Sequence, residues 1–183
     1  RMASPRDAIG HGIGLVPEDR KQQALFLELA IRTNMSIAAH DRISALGIFI
    51  SGSKEDALVE QYRQLLNIRM TSGDQIVGNL SGGNQQKVVL ARWLALQPKV
   101  LIVDEPTRGI DVGAKVEVHK LLFQMAASGI AIIVISSELP EILALSDRIV
   151  MMRQGRVCGE IARAQADPEE LMTLMTLGSR RAA

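Results

Sequence analysis

Cysteine is all but missing from these 183 residues. Cys158 stands alone, so no disulfide framework or cysteine metal cluster can form, and a reducing compartment fits best, with Cys158 itself a small packing residue. Charge of one sign is missing too: 21 Lys and Arg against 20 Asp and Glu leave a net +1, and no long basic run occurs. Composition therefore gives a nucleic-acid-binding surface no support. The longest clean apolar run, Ile130 to Ile135, falls far short of the ~20 residues that cross a bilayer, and no charged-then-apolar leader opens the chain. A soluble chain is expected. Internal repeats and low-complexity linkers are absent.

What is present amounts to one domain's worth of residues, enough to bury a core. The opening Arg1-Met2, in place of an initial methionine, is expected of a fragment. "GIGLVPEDRK", Gly12 to Lys21, reads as a short strand broken at Pro17 and followed by a charged turn. Gly10, Gly12 and Gly14 have the wrong spacing for a dinucleotide loop, and a flexible approach to the strand is expected there. From Leu25 to about Leu66 the pattern is mostly helical, interrupted near "SALGIFISGS", which predicts a small helical subdomain. From Val100 apolar strands alternate with helices: "VLIVDE", Val112 to Ala127, "IAIIVISSE" and Leu139 to Leu145. Continuous β-branched runs suit a parallel sheet covered on both faces. Gln154-Gly155 between two apolar runs predicts an edge hairpin, and the tail "GSRRAA" is expected to be disordered.

Chemistry concentrates in "LSGGNQQKVVLARWLALQPKVLIVDEPT", Leu80 to Thr107. Val100 to Val103 run straight into Asp104 and Glu105, and ligands of open α/β sheets sit beyond the carboxyl ends of strands. Strand alternation points the two carboxylates apart, so that Asp104 could hold Mg²⁺ while Glu105 orients or deprotonates a water. A solvated strand end is the alternative. Upstream, Ser81 is placed to cap a helix running through Val88, Ala91 and Leu94 until Pro98 stops it. Gly82 and Gly83 in its first turn each cost up to about 1 kcal/mol relative to alanine. They make sense if an anion approaches the bare backbone at the positive end of the helix dipole; an ordinary capped helix is the other reading.

A serine-glycine-glycine turn, one helix and a strand ending in Asp-Glu-Pro-Thr, with Asp104 twenty-three residues after Ser81, resembles the ATP-binding cassette of ABC transporters. "LSGGNQQK" looks like the signature motif, "VLIVDEP" like the Walker B strand, "RGIDVGAK" like the D-loop with Asp111, and "GIGLVPEDR" like the segment bearing the Q-loop. "VPEDRK", "DEPTRGIDVGAK" and "ISSELPEILALSDRI" resemble most the C-terminal cassette of tandem-cassette importers of ribose, galactose and related sugars. The resemblance runs from about Ser4 to Leu177 and implies an α/β fold, a partial P-loop NTPase with a parallel sheet core and a small helical subdomain. Its divisions are expected at 1–19 for the Q-loop strand region, 20–79 for the helical subdomain, 80–162 for the signature, Walker B and D-loop core, and 163–183 for the C-terminal helix and tail. It implies ATP and Mg²⁺ as cofactors, with Glu105 catalytic, Asp104 on the metal, and Ser81, Gly82, Gly83, Gln85, Glu18, Asp111 and Ser137 at the nucleotide. It further implies a second cassette, expected in the N-terminal half of the same polypeptide, a transmembrane permease, no nucleic acid, and a place at the cytoplasmic face of the inner membrane.

No G-x-x-x-x-G-K-[ST] occurs in these residues, so the phosphate-cradling loop and its lysine are not among them. The family carries that loop upstream of the Q-loop, which makes a cassette cut at its N-terminus the expectation. Three positions depart from the pattern. Glu18 stands where the Q-loop glutamine is expected, Ser137 where the switch histidine is expected, and Asn84 replaces the usual signature glutamine. A carboxylate at 18 alters the surroundings of a metal, and serine cannot carry the positive charge that imidazole brings to a phosphate. His11, His40 and His119 sit elsewhere and read as surface or packing residues. Because family cassettes pair head to tail, Ser81, Gly82 and Gly83 would complete the partner's site, whereas Glu18, Asp104, Glu105 and Ser137 would serve this chain's own, impaired one. The rival readings are a non-hydrolysing cassette that donates the signature to a catalytic partner and a soluble ABC ATPase acting on DNA or ribosomes; the near-neutral charge disfavours the second.

Overall fold

Ser4 begins the ordered architecture in the computed structural model of the chain, which describes residues 2–45 and 49–177. Its hydroxyl accepts the Asp7 amide at 3.2 Å and Pro5 occupies the first position of α1 (Pro5–Gly10), so the expected flexible approach is a capped helix. The strand β1 (Ile13–Val16) follows, and the expected charged turn after it is a wide five-residue π-turn, Arg20–Ala24. Asp19 caps that turn, its carboxylate accepting the Lys21 and Gln22 amides. The helical stretch comprises α2 (Ile31–Ser36), α3 (His40–Ile43) and α4 (Gly52–Leu65). Its interruption is a small antiparallel pair, β2 (Ser44–Ala45) with β3 (Phe49–Ile50).

The next elements are α5 (Gly82–Leu94), β4 (Val100–Asp104), α6 (Val112–Ala127) and β5 (Ala131–Ile135). β4 lies between β1 and β5, parallel to both, with Leu15, Ile102 and Ile133 in one row. Val16, Leu101 and Val103 are fully buried on the face toward α5, and Gly14 lets the Trp93 ring approach: a Cβ there would lie 2.9 Å from it. The other face carries apolar side chains as the β-branched runs predict, yet Leu15, Ile133 and Ile135 are 47, 51 and 48% exposed. The expected cover on both faces is therefore met on one.

Residues 136–183 are a second compact unit. α7 (Leu139–Leu145) precedes β6 (Arg148–Arg153) and β7 (Arg156–Ala162), and α8 (Pro168–Leu177) closes it. Gln154 (φ 49°) and Gly155 (φ 74°) make the hairpin turn, both in the left-handed region that such two-residue turns require. The hairpin forms its own sheet instead of extending the parallel one. Leu171 of α8 packs with Ile149 and Met151 in its core. The predicted disordered tail, 178–183, lies outside the described residues.

Helix α5 organises the first unit. Every residue from Gln85 to Arg92 is buried, including Gln86, Lys87 and Arg92, so the helix has no solvent face over two turns. Val88, Val89, Leu90 and Leu94 supply the apolar contacts, each side chain worth about 1.5–3 kcal/mol when buried. Among the described residues the buried Arg92 guanidinium meets no carboxylate. It donates to the carbonyls of Asn34 (2.7 Å) and Ala24 and to Asn34 Oδ1 (3.0 Å), and lies 5.8 Å from the Phe26 ring centroid. At the far end, the Tyr62 hydroxyl donates to the Leu94 carbonyl and Arg42 to that of Ala95, which satisfies groups the helix leaves open. On the opposite flank Lys87, its side chain 4% exposed, donates to Glu117 on α6 at 2.7 Å and to the Asn67 carbonyl at 3.0 Å. That hydrogen bond and charge hold Glu117 below its ordinary value of 4.5.

Arg92→Met removes three hydrogen bonds at the price of none of the packing volume, leaving buried acceptors unpaired; a loss of about 2–4 kcal/mol in urea unfolding is expected, and an unchanged midpoint would contradict the account. For the Lys87–Glu117 pair the cost is asymmetric. Glu117→Gln leaves a buried ammonium with neutral acceptors and no counter-charge, whereas Lys87→Met leaves a carboxylate that is 43% exposed and stays hydrated. Glu117→Gln should therefore be the more destabilising at neutral pH, by ~1 kcal/mol after allowance for solvent screening. Because the folded-state pKa of Glu117 is depressed, its contribution is complete above the ordinary value and disappears as pH falls through the lowered one. Acid titration of the parent and of Glu117→Gln should show that segment of the stability curve only in the parent.

Candidate functional site

β4 is the central strand, and its carboxyl end brings the two predicted carboxylates to the sheet's ligand-bearing edge. Asp104 is the last strand residue, in register with Ile135, and is half-buried. Glu105 is not aimed by strand alternation, as predicted, because the strand has already ended. Its backbone turns left-handed (φ 45°) while its N–H donates to the Ile135 carbonyl at 2.8 Å. That conformation costs a glutamate about 1 kcal/mol or more, and such residues gather at functional sites. The chain then tightens through Arg108 N–H to the Glu105 carbonyl (3.1 Å) and Ile110 N–H to that of Thr107 (3.2 Å), with Gly109 also left-handed. Asp111 ends the loop by capping α6, its carboxylate accepting the Ala114 amide at 2.9 Å.

Ser81 caps α5 as predicted. Its hydroxyl accepts from the Asn84 amide at 3.5 Å and from the Asn84 side chain at 3.0 Å, and the residue is exposed. The two glycines have a reason the sequence did not suggest. A Cβ on Gly82 would lie 2.7 Å from the Arg20 guanidinium and 3.1 Å from the Gly109 carbonyl oxygen, and one on Gly83 would lie 2.8 Å from the Ala114 Cβ. Close packing inside the chain therefore favours glycine at both, with or without an anion. Gln85 turns inward: it is buried, and its amide donates weakly, at 3.4 Å, to the carbonyls of Val77 and Gly78. The starts of α5 and α6 share a hollow of about 290 Å³ lined by Ser81, Asn84, Lys87, Asp111, Gly113 and Glu117. A larger hollow of about 350 Å³ lies between α2, α4 and residues 70–73, but its Arg32 and Arg63 are already paired with Asp56, Asp74 and Glu60.

The segment after β1 joins this loop. Arg108 forms an ion pair with Glu18, so the predicted nucleotide-site carboxylate is held by a cation from the chain itself. Arg20, 8% exposed, reaches back: one guanidinium nitrogen donates to the Arg108 carbonyl at 2.7 Å and the other to that of Gly109 at 3.0 Å. Burial pulls this guanidinium below its ordinary value, against the opposing charge of Asp19. Neither arginine was singled out by sequence reasoning. Both sat in the motifs quoted, but nothing in a one-dimensional pattern pairs positions 88 residues apart. Ser137 lies in the second unit and is exposed; its neighbour Ser136 accepts the Glu138 amide at 3.0 Å. Glu18, Ser81, Gly82, Gly83, Asp104, Glu105 and Asp111 thus belong to one unit.

Among the described residues no group of three or more His, Cys, Asp or Glu side chains is arranged to hold a metal. The half-buried carboxylate of Asp104 is compatible with a hard cation of the Mg²⁺ kind, which takes one or two carboxylates and completes its shell with water and phosphate oxygens. Among the described residues no helix is long and apolar enough to cross a membrane.

The chain is similar to known proteins. The chain is 51% identical over 178 residues, 97% of its length, to a Rhizobium etli protein named for ribose, galactose and methyl galactoside import. It is 47% identical over 180 residues, 98% of its length, to the ribose import ATP-binding protein RbsA of Geobacillus kaustophilus. These matches cover 34% and 36% of the two relatives, so the chain spans about a third of their length. Among solved structures it superposes on cbiO1 of Clostridium perfringens, part of an ABC transporter complex, with a TM-score of 0.73 over 96% of this chain and 69% of that one. Identity there is 24%, so that likeness concerns the fold, an ABC cassette with its parallel sheet and helical subdomain. The model of the ABC transporter family matches residues 2–108, more than half of the sequence, and the chain belongs to that family.

Proposed function

We propose that this chain serves as an ATP-binding and ATP-hydrolysing part of an importer of a small sugar. The observation that carries the reading is the pair at the carboxyl end of β4, a half-buried Asp104 followed by Glu105 in a left-handed conformation. Supporting it are the sugar-import names of relatives that match nearly the whole chain. Asp104 would hold Mg²⁺, which when bound neutralises charge on the β- and γ-phosphates. Glu105 orients or deprotonates a water, its position set by the left-handed turn and by the hydrogen bond that its N–H donates to the Ile135 carbonyl. Exposed Ser81 and the open N–H groups of α5 offer hydrogen bonds to a phosphate held by a second cassette. Gly82 and Gly83 keep that helix start close to α6 and Arg20, and Gln85 braces the turn beneath it. Asp111 fixes the start of α6 beside Ser81. Ser137 would stand in the place of the switch histidine.

The partners are a second ATP-binding cassette and a transmembrane permease, at the cytoplasmic face of the inner membrane. Phe26 and Leu29 in the helical region are exposed and apolar, as a docking surface for such a permease requires. A second reading is that the chain donates its signature turn and leaves hydrolysis to its partner. The Arg108–Glu18 ion pair and the serine at 137 favour it, since neither supplies a free neutral amide or an imidazole to the phosphates.

Substitutions at Glu105 separate these readings in ATP turnover by the assembled importer, with Ser81→Arg as the control common to both. Ser81→Arg should remove 10²–10³ of the rate under either, because a bulky cation displaces the phosphate and its donors. Glu105→Gly relieves the left-handed strain and should raise the stability of the chain by up to about 1 kcal/mol while abolishing turnover at its own site. If turnover survives Glu105→Gly and Glu105→Gln undiminished, the chain is a signature donor and not a hydrolase. If Glu105→Gly is destabilising, the strain assigned to this residue is not there.

A further inference from the structure

Residues 18–20, 82 and 108–109 come together at one buried guanidinium. Arg20 touches two consecutive carbonyls of the loop after β4, and its terminal nitrogen fills the space where Gly82 lacks a side chain. Among the described residues no carboxylate is a hydrogen-bond partner of it, and its Nε is buried without an acceptor. For stability alone this is a poor choice, since a desolvated cation with an idle donor costs more than an apolar side chain of the same volume. What a guanidinium provides and a hydrocarbon does not is direction. Its planar fork fixes two successive peptide oxygens in one plane, where a lysine would hold a single point. Two residues beyond those oxygens Asp111 caps α6, and beside them Ser81 caps α5. Arg108, whose carbonyl Arg20 holds, sends its own side chain back to Glu18, so the two segments are tied in both directions.

We propose that Arg20 is a positioning residue, which transmits the placement of the Glu18 segment to the 108–111 loop and so sets where the starts of α5 and α6 stand for the nucleotide shared with a second cassette. The functional half of this statement rests on the ATPase reading above. Displacement of the segment around Glu18 pulls on the carbonyls of Arg108 and Gly109 and moves the caps Ser81 and Asp111 with them. Arg20 itself touches no reacting group.

Arg20→Lys retains the charge and loses the fork, so it separates direction from electrostatics. Amide hydrogen exchange on this chain should be at least tenfold faster at Gly109, Ile110 and Gly82 in Arg20→Lys than in the parent, with exchange in α8 unchanged. In the assembled importer the same variant should lower kcat for ATP by about ten- to a hundredfold, as sub-ångström misplacement does, with KM for ATP within twofold and the stoichiometry of bound nucleotide unaltered. A partly unfolded protein would instead bind less nucleotide. The packing is checked by a double-mutant cycle: the thermal loss caused by Gly82→Ala should shrink by at least half when Arg20 is already methionine. Parent-like exchange in Arg20→Lys, strictly additive Gly82→Ala and Arg20→Met effects, an unchanged kcat, or a raised KM at constant kcat would each overturn the proposal. An importer whose parent form turns over no ATP would sink the ATPase reading instead, and the exchange and the cycle would still decide whether Arg20 couples the segments.

Discussion

A guanidinium bonded to backbone carbonyls, buried where a hydrophobic residue would ordinarily stand, holds the helical region of this chain to its sheet. Arg92 projects from α5 and ends on Ala24 and Asn34, residues otherwise connected to that helix only by packing. A carbonyl acceptor is neutral, so the bond carries less attraction than an ion pair. It also leaves no second charge to be buried, and it fixes a backbone position instead of a flexible side chain. Asn34 completes the arrangement, its amide donating to the carbonyls of Phe26 and Ala30 and its oxygen accepting the Phe26 amide. The segment between Leu25 and Ala30 turns at Phe26–Leu29 and accepts the amides of Val77 and Gly78, and these side-chain contacts add to that backbone pairing.

The signature turn and the anchor of the helical region lie on one helix, α5. Its first turn carries Ser81, Gly82 and Gly83; its third turn carries Arg92; and Lys87 between them reaches α6. Rotating or sliding α5 would therefore alter the signature turn and the helical region together. Hydrogen-bonded polar side chains on a helix buried on all sides specify its rotation more sharply than Val88, Val89 and Leu90 could, because apolar contacts tolerate small shifts and directed bonds do not.

Long, strongly patterned elements were legible from the residues. Val112–Ala127 and Leu139–Leu145 form helices at the predicted bounds, and the α5 helix lies within its predicted span, with Ser81 as its cap. The β-branched runs formed parallel strands because nothing local competes with that pattern, and Gln154-Gly155 turned as its left-handed preference demands. Features that depend on distant residues were not legible. The π-turn at Arg20–Ala24 and the capped helix α1 lacked periodicity long enough to register. The strand's end at Asp104 hid the left-handed turn at Glu105, since no glycine marks it. The reason for Gly82 and Gly83 lay in residues 20, 109 and 114, and the pairing of Arg20 with Arg108 and Gly109 spans half the chain.

The crowding around Gly82 and Gly83 bears on how variation at such a motif is interpreted. Any side chain introduced at 82 meets a guanidinium and a carbonyl before it meets a ligand, and any at 83 meets a helix. In a saturation screen both positions would score as intolerant for reasons of shape alone, and the score would not distinguish a lost phosphate contact from a lost fit between helices. At exposed Ser81 threonine or aspartate would keep the helix cap, so intolerance to those residues would report on chemistry.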